Sequence, residues 1–138
     1  MSHGAVMVKM PRDIMEFVRD HRPALVATVS PDGMPNVAPK GSLTVLDDEH
    51  LVFADLVAGR TSRNIVLDPH VSVLVLGDDG KGYQLRGVGR IEKDTGAYAM
   101  VCDPTSAVRI DLPPPQAVVV IEVGTIDDIS PPRARPSG

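Results

Sequence analysis

The sequence has no tryptophan, only two phenylalanines and two tyrosines, and a single cysteine, Cys102, in 138 residues. One cysteine excludes a disulfide within the chain, and without a second thiol it does not start a zinc site. No apolar run approaches the roughly 20 residues that a membrane-spanning helix needs, and the first residues lack the charged and then apolar pattern of a signal peptide. These absences predict a protein of a reducing compartment, the cytoplasm, with no membrane partner.

An excess of positive charge is also missing, since the formal net charge at pH 7 is -4 and the pI is about 5.4. Proteins that bind the phosphate backbone of nucleic acids carry a basic surface, and those that bind single strands also stack bases on aromatic rings. We therefore expect no nucleic-acid partner.

Several common site signatures are absent as well. The sequence has no Gly-Lys-Ser phosphate loop, no spaced-glycine dinucleotide fingerprint and no Gly-x-Ser-x-Gly elbow. The four histidines, His3, His21, His50 and His70, have no spacing that would place two of them on one face, so no metal site is expected. No side chain stands out as a general acid or base, so the sequence assigns no catalytic residue.

The residues that are present favour strands. The 43% hydrophobic content comes mainly from valine, isoleucine, leucine, alanine and methionine, and valine is enriched in strands. Thirteen prolines and twelve glycines divide the chain into short segments, which suits a compact barrel better than a helical bundle.

Apolar alternation and turn residues predict six antiparallel strands, over residues 24–30, 35–46, 51–54, 71–76, 83–92 and 116–123. Short helices are predicted over residues 11–22, in the segment that ends at residues 68–69, and over residues 94–101. Two glycines in the fifth predicted strand indicate a sharp bend or a close approach of backbones. We therefore predict one small barrel domain over residues 1–125, followed by a disordered tail over residues 126–138.

Residues 58–70 contain an unusual arrangement of charge. Thr61 or Ser62 can cap the predicted helix, whereas Arg60 and Arg63 crowd the end that already carries a partial positive charge. This placement is unfavourable unless an anion is bound there by backbone N–H groups, hydroxyls and a guanidinium. The alternative explanation is a solvated helix cap with two arginines that bind nothing.

The order of five segments along the chain carries a family resemblance. The segments are residues 35–42, 53–56, 59–65, 68–73 and 84–92. In this order they resemble the pyridoxamine 5'-phosphate oxidase-like flavoproteins, and most closely their small single-domain FMN-binding members. The resemblance spans residues 11–123 and implies a mainly β fold, a six-stranded antiparallel Greek-key split β-barrel. It also implies a homodimer that binds FMN in each of two clefts between the subunits.

The resemblance further implies which residues bind the cofactor. They are Arg60, Thr61, Ser62 and Asn64 at the phosphate; Ala38, Pro39 and Lys40 on the strand beside the isoalloxazine ring; Ala54, Asp55 and Leu56 at the end of the neighbouring strand; and Gln84 on a strand that in several relatives reaches the partner subunit's cofactor. Many members also have a tryptophan or another ring near the flavin. In this chain the contacts to the flavin ring must be aliphatic or come from Tyr83 or Tyr98.

Two of these residues have simple alternative explanations. Lys40 near flavin N1 would stabilise the negative charge of the reduced flavin, but it is also compatible with a solvent-facing strand lysine. Gln84 alternates with apolar residues on a half-buried strand, where a polar residue needs no cofactor.

Four functions remain under consideration. The first is an FMN-dependent oxidoreductase that moves hydride or electrons between NAD(P)H or another donor and a small-molecule acceptor. The second is a flavin-binding protein without turnover, as a carrier or a store. The third is the same fold with haem or a deazaflavin, and the fourth, a nucleic-acid-binding barrel, is disfavoured by the charge.

Overall fold

The computed structural model of the chain describes residues 7–55, 59–93, 96–103, 106 and 116–132. These residues form three helices, α1 (Arg12–Asp20), α2 (Arg60–Leu67) and α3 (Gly96–Cys102). The seven strands are β1 (Ala24–Val29), β2 (Pro35–Lys40), β3 (Thr44–Asp47), β4 (His50–Asp55), β5 (His70–Leu76), β6 (Gly82–Glu92) and β7 (Ala117–Asp128). All paired strands are antiparallel, in the spatial order β2-β1-β5-β6-β7-β4-β3.

The alternation of side chains gives the sheet two distinct faces. Val26 of β1 and Val73 of β5 are paired and fully buried, and we call the face that carries them the inner face. Leu25 and Leu74 are also paired, but both are only partly buried, and they lie on the opposite, outer face. Since successive strand residues point to opposite sides, the register assigns each site residue to one face.

The inner face encloses the main hydrophobic core. Phe53 of β4 is its largest fully buried side chain. Helix α1 begins directly after Pro11, whose fixed φ suits a helix start, and its Ile14 and Val18 pack into this core. These two residues are four positions apart and therefore lie on the same side of the helix.

Strands β4 and β7 are covered on both faces. On the outer side, Val52, Val118 and Val120 form a second cluster with Val101 of α3. A strand that is buried on both sides needs apolar residues at consecutive positions, which explains the valine run of β7.

The backbones of β6 and β7 approach each other closely at Gly87. A Cβ atom at this position would lie 1.8 Å from the carbonyl oxygen of Glu122, and the pairing register shifts between Arg86 and Gly87. The close approach expected from the glycines of this strand is therefore present at Gly87.

The mainly β class and the antiparallel sheet are confirmed, but the predicted number of six strands is wrong. The predicted strand over residues 35–46 divides into β2 and β3, because the N–H of Leu43 donates to the carbonyl of Lys40 and closes a turn. Strands β2 and β3 then lie at opposite edges of the sheet. The last predicted strand is also longer than expected: β7 ends at Asp128, so residues 126–128 belong to the sheet rather than to a tail.

Candidate functional site

Helix α2 packs against β1, β2 and β6, and three hydrogen bonds fix its first turns. Three of its polar residues, Thr61, Ser62 and Asn64, are buried, because their side chains point towards the sheet. The bonds are Ser62 Oγ to Asp55 Oδ2 at 2.7 Å, Asn64 Nδ2 to Thr28 Oγ1 at 3.1 Å, and Asn36 Nδ2 to Thr61 Oγ1 at 3.4 Å. Strands β4, β1 and β2 thus each hold one residue of the helix.

The N-terminus of α2 is free of a side-chain cap. Its N-cap residue is Gly59, no side chain caps it, and its first turn contains no acidic residue. The N–H of Arg63 donates to the carbonyl of Gly59, whereas the N–H groups before it have no partner within the helix. Arg60 and Arg63 are both exposed, and neither forms an ion pair with a residue that the structure describes. This donor set of backbone N–H groups and a guanidinium fits a phosphate group.

The inner side of β2 faces the start of α2. Asn36, Ala38 and Lys40 alternate as its half-buried residues, and Asn36 connects the strand to Thr61. The Nζ atom of Lys40 lies 5.4 Å from the centre of the Phe53 ring, in a cation–π contact. Edge strand β2 therefore presents a partly open, mixed polar and apolar surface beside the helix end.

Strand β4 ends in the same region. Ala54 and Asp55 are both buried, and the N–H of Ala54 donates to the hydroxyl of Ser42. The predicted site residue Leu56 lies outside the described residues. The structure thus brings Asp55, Thr61, Ser62 and Asn64 together at α2, whereas Ala54 pairs with Val118 and points with it to the outer side.

Pro39 and Gln84 lie elsewhere, on the outer face. The register places Pro39 opposite Leu25, Leu25 opposite Leu74, and Leu74 opposite Gln84. The amide of Gln84 donates to Ser72 Oγ at 3.0 Å and accepts from Arg86 at 2.9 Å. Within one chain, these two residues are separated by the sheet from the side chains around α2.

A cavity of about 490 Å³ opens near Gln84 on the outer face. Its lining includes Ala27, Val29, Ser72, Arg86 and Val88. It is mostly apolar, with Arg86 on its wall, and Arg86 also lies 3.9 Å from Asp127.

Two residues that hold α2 were not predicted from the sequence. Thr28 and Asn36 were not singled out, although each contacts a side chain of α2. A usable signal exists for Thr28, because it is a polar residue at an inward position between Val26 and the turn. Asn36 gives only a weak signal, since polar residues are common on an exposed edge strand.

The end of α2 is also well defined. The carboxylate of Asp68 accepts a hydrogen bond from the backbone N–H of His70 at 3.1 Å and lies 2.7 Å from the His70 ring nitrogen. The hydrogen bond from the backbone, and after it the one from the His70 ring, lower the pKa of Asp68 below its usual value. The helix ends where the sequence predicted, before Pro69.

The topology defines a class, a small split β-barrel, in which an uncapped helix N-terminus lies next to an open edge strand. Comparisons with known proteins agree with this class. The family model described as pyridoxamine 5'-phosphate oxidase matches residues 10–129, which is most of the chain. The chain belongs to this family.

Individual relatives support the assignment. The uncharacterized protein MJ0282 of Methanocaldococcus jannaschii is 30% identical over 120 residues, which cover 85% of this chain and 79% of the relative. The crystal structure of HupZ from Group A Streptococcus has a TM-score of 0.75 at 23% identity and covers 88% of this chain and 94% of that one. A solved F420 reductase has a TM-score of 0.63 at 25% identity and covers 86% of this chain and 98% of that one.

Two further properties concern the part of the chain that the structure describes. None of the helices there is long and apolar enough to span a membrane. The same part of the chain contains no group of three or more histidine, cysteine or acidic side chains close enough to hold a metal ion.

Proposed function

We propose that the protein binds FMN and is an FMN-dependent oxidoreductase. The observation that carries the proposal is the uncapped N-terminus of α2 with Arg60, placed beside the open inner edge of β2 in a chain of the pyridoxamine 5'-phosphate oxidase family. When bound, the flavin would supply the hydride or electron transfer, and the protein would bind and orient it.

The chain's own residues would have separate tasks. Arg60 and the first N–H groups of α2 would bind the phosphate, because they combine a guanidinium with the positive end of the helix. Ala38 would border the ring with its small side chain, and Lys40 would place a cation near the ring. A cation there favours the reduced, negatively charged flavin and so raises its reduction potential.

The proposal includes a homodimer. The outer face carries partly exposed apolar side chains on three neighbouring strands, among them Leu25, Val37 and Leu74, and Val37 is 62% exposed. A contiguous apolar face on a soluble protein is commonly an interaction surface. Pro39 and Gln84 lie on this face, so a second copy packed there would bring them towards the partner's cleft.

The first test is the absorption spectrum of the protein purified without added cofactor, followed by mass analysis of the molecule that heat releases. We expect a flavin spectrum and the mass of FMN. A colourless protein that does not take up FMN on titration would contradict the proposal. Rapid bleaching by NAD(P)H would support an enzyme, whereas a flavin that NAD(P)H does not bleach rapidly would favour an electron carrier or a flavin store.

A deazaflavin is the second candidate cofactor, because the chain is 25% identical to a solved F420 reductase. Both cofactors carry a phosphate that the same helix end could bind. The spectrum and the released mass separate them in the same experiment, and a haem spectrum would reject both.

A further inference from the structure

Asp55 is the one acidic side chain that is buried among the described residues, with an exposure of 8%. It is the last residue of β4 and pairs with Ala117 of β7, and its carbonyl oxygen accepts the N–H of Gln116 at 3.0 Å. The backbone of Asp55 is thus held by the centre of the sheet, which makes it a rigid support for a neighbouring element.

The carboxylate of Asp55 contacts α2 at its first turn. Its Oδ2 atom accepts the hydroxyl hydrogen of Ser62 at 2.7 Å, and Ser62 is the third residue of the helix. Asp55 forms no ion pair with another described residue. The carboxylate lies close to the positive end of the helix, in a small pocket that Arg63 and Lys93 also line.

This arrangement has two opposing consequences for an anion at the same helix end. The hydrogen bond to Ser62 fixes the position of the helix, which orders the N–H groups that would bind a phosphate. The negative charge of the Asp55 carboxylate, however, weakens the positive potential at the helix end, and it repels an anion that binds there.

We propose that Asp55 is a positioning residue that holds α2 through Ser62 and at the same time limits the affinity of this helix end for a phosphate. The tethering part stands on the geometry of α2 alone, whereas the affinity part rests on the proposed FMN site. Ser62, which the sequence assigned to the phosphate, then contributes its backbone N–H there while its hydroxyl serves the tether.

Two substitutions separate these roles. Asp55→Asn keeps an oxygen that can accept from Ser62 but removes the charge. It should bind FMN more tightly by on the order of fivefold, because the repulsion between the Asp55 carboxylate and the phosphate is removed. The gain should shrink in high salt, and riboflavin affinity should not change. Asp55→Ala removes the tether too, and the backbone amides of α2 should then exchange with solvent at least tenfold faster.

Thr28→Val provides a matched control at the second tether, because Thr28 accepts a hydrogen bond from Asn64 of α2 and carries no charge. This variant should also speed amide exchange in α2, but it should never strengthen FMN binding. The amide-exchange comparison needs no ligand, so it decides the tethering role even if the protein binds no flavin. Equal exchange rates in Asp55→Ala and the wild type would overturn the tether. An Asp55→Asn variant that binds FMN no better than the wild type would overturn the limit on affinity while leaving the FMN proposal intact.

Discussion

Replacing Arg60 with alanine tests the proposed phosphate site most directly. Arg60 is the first residue of α2, and its exposed guanidinium has no ion pair with a described residue that would be lost with it. A charge-assisted hydrogen bond contributes about 1.5 to 3 kcal/mol, so its loss should weaken FMN binding by roughly ten- to a hundredfold. Because the side chain is exposed and screened by solvent, we expect a value near the lower limit.

The assay is a fluorescence titration with FMN and, in parallel, with riboflavin, which has no phosphate. Only FMN affinity should fall in Arg60→Ala. Arg63→Ala is the matched control, since Arg63 is also exposed but lies one turn further along α2, where it lines a small pocket with Ser62 and Lys93. Equal losses for FMN and riboflavin, or an unchanged FMN affinity, would refute the argument and leave α2 with a solvated N-terminus.

Three further predictions follow from other parts of the molecule. The wild type should have a mass near 29 kDa by light scattering, twice the 14.7 kDa of one chain. Leu74→Glu on the outer face should reduce this mass to that of a monomer. A monomeric wild type with bound flavin would contradict the dimer. Lys40→Met should lower the reduction potential of bound flavin in spectroelectrochemical titrations, and an unchanged potential would assign Lys40 to the surface. Gly87→Ala should reduce the free energy of unfolding, measured in urea, by more than about 3 kcal/mol, because the new Cβ atom would lie 1.8 Å from the Glu122 carbonyl oxygen. Gly41→Ala is the control and should change this free energy little, because the space around its Cβ position is open.

Local patterns made much of the fold predictable. The valine run of β7 and the alternation along β6 identify strands. Pro11 directly precedes helix α1, and Pro69 follows the end of helix α2. The division between β2 and β3 was missed, because residues 35–46 contain apolar residues on both sides of Gly41 and the turn depends on a single backbone hydrogen bond. The extension of β7 to Asp128 was missed for another reason. Its last two residues are acidic and exposed, and the pairing of residues 125–128 with residues 83–86 of β6 makes this end a strand.

The candidate site shows a similar limit. The clash of two arginines with the helix dipole indicated an anion site from sequence alone, because it depends on neighbouring residues. The roles of Ser62 and Asn64 depend on partners at sequence distances of 7 and 36 residues. Such long-range partners follow from the order of the strands, which no local pattern contains.

The distribution of the predicted site residues over the two faces of the sheet is itself an argument for two chains. Ala38 and Arg60 lie around the inner edge near α2, whereas Gln84 is held on the outer face by Ser72 and Arg86. A strand residue reaches only one face, and a shift of register that moved Gln84 inward would expose Leu85, which is 1% exposed. Gln84 therefore contacts a cofactor of this kind only if the cofactor is bound by a second copy that packs on the outer face. Gln84→Ala should then weaken FMN binding in the dimer and have no effect on flavin retained by a monomeric Leu74→Glu variant. Equal effects in both states would show that Gln84 acts only within its own chain.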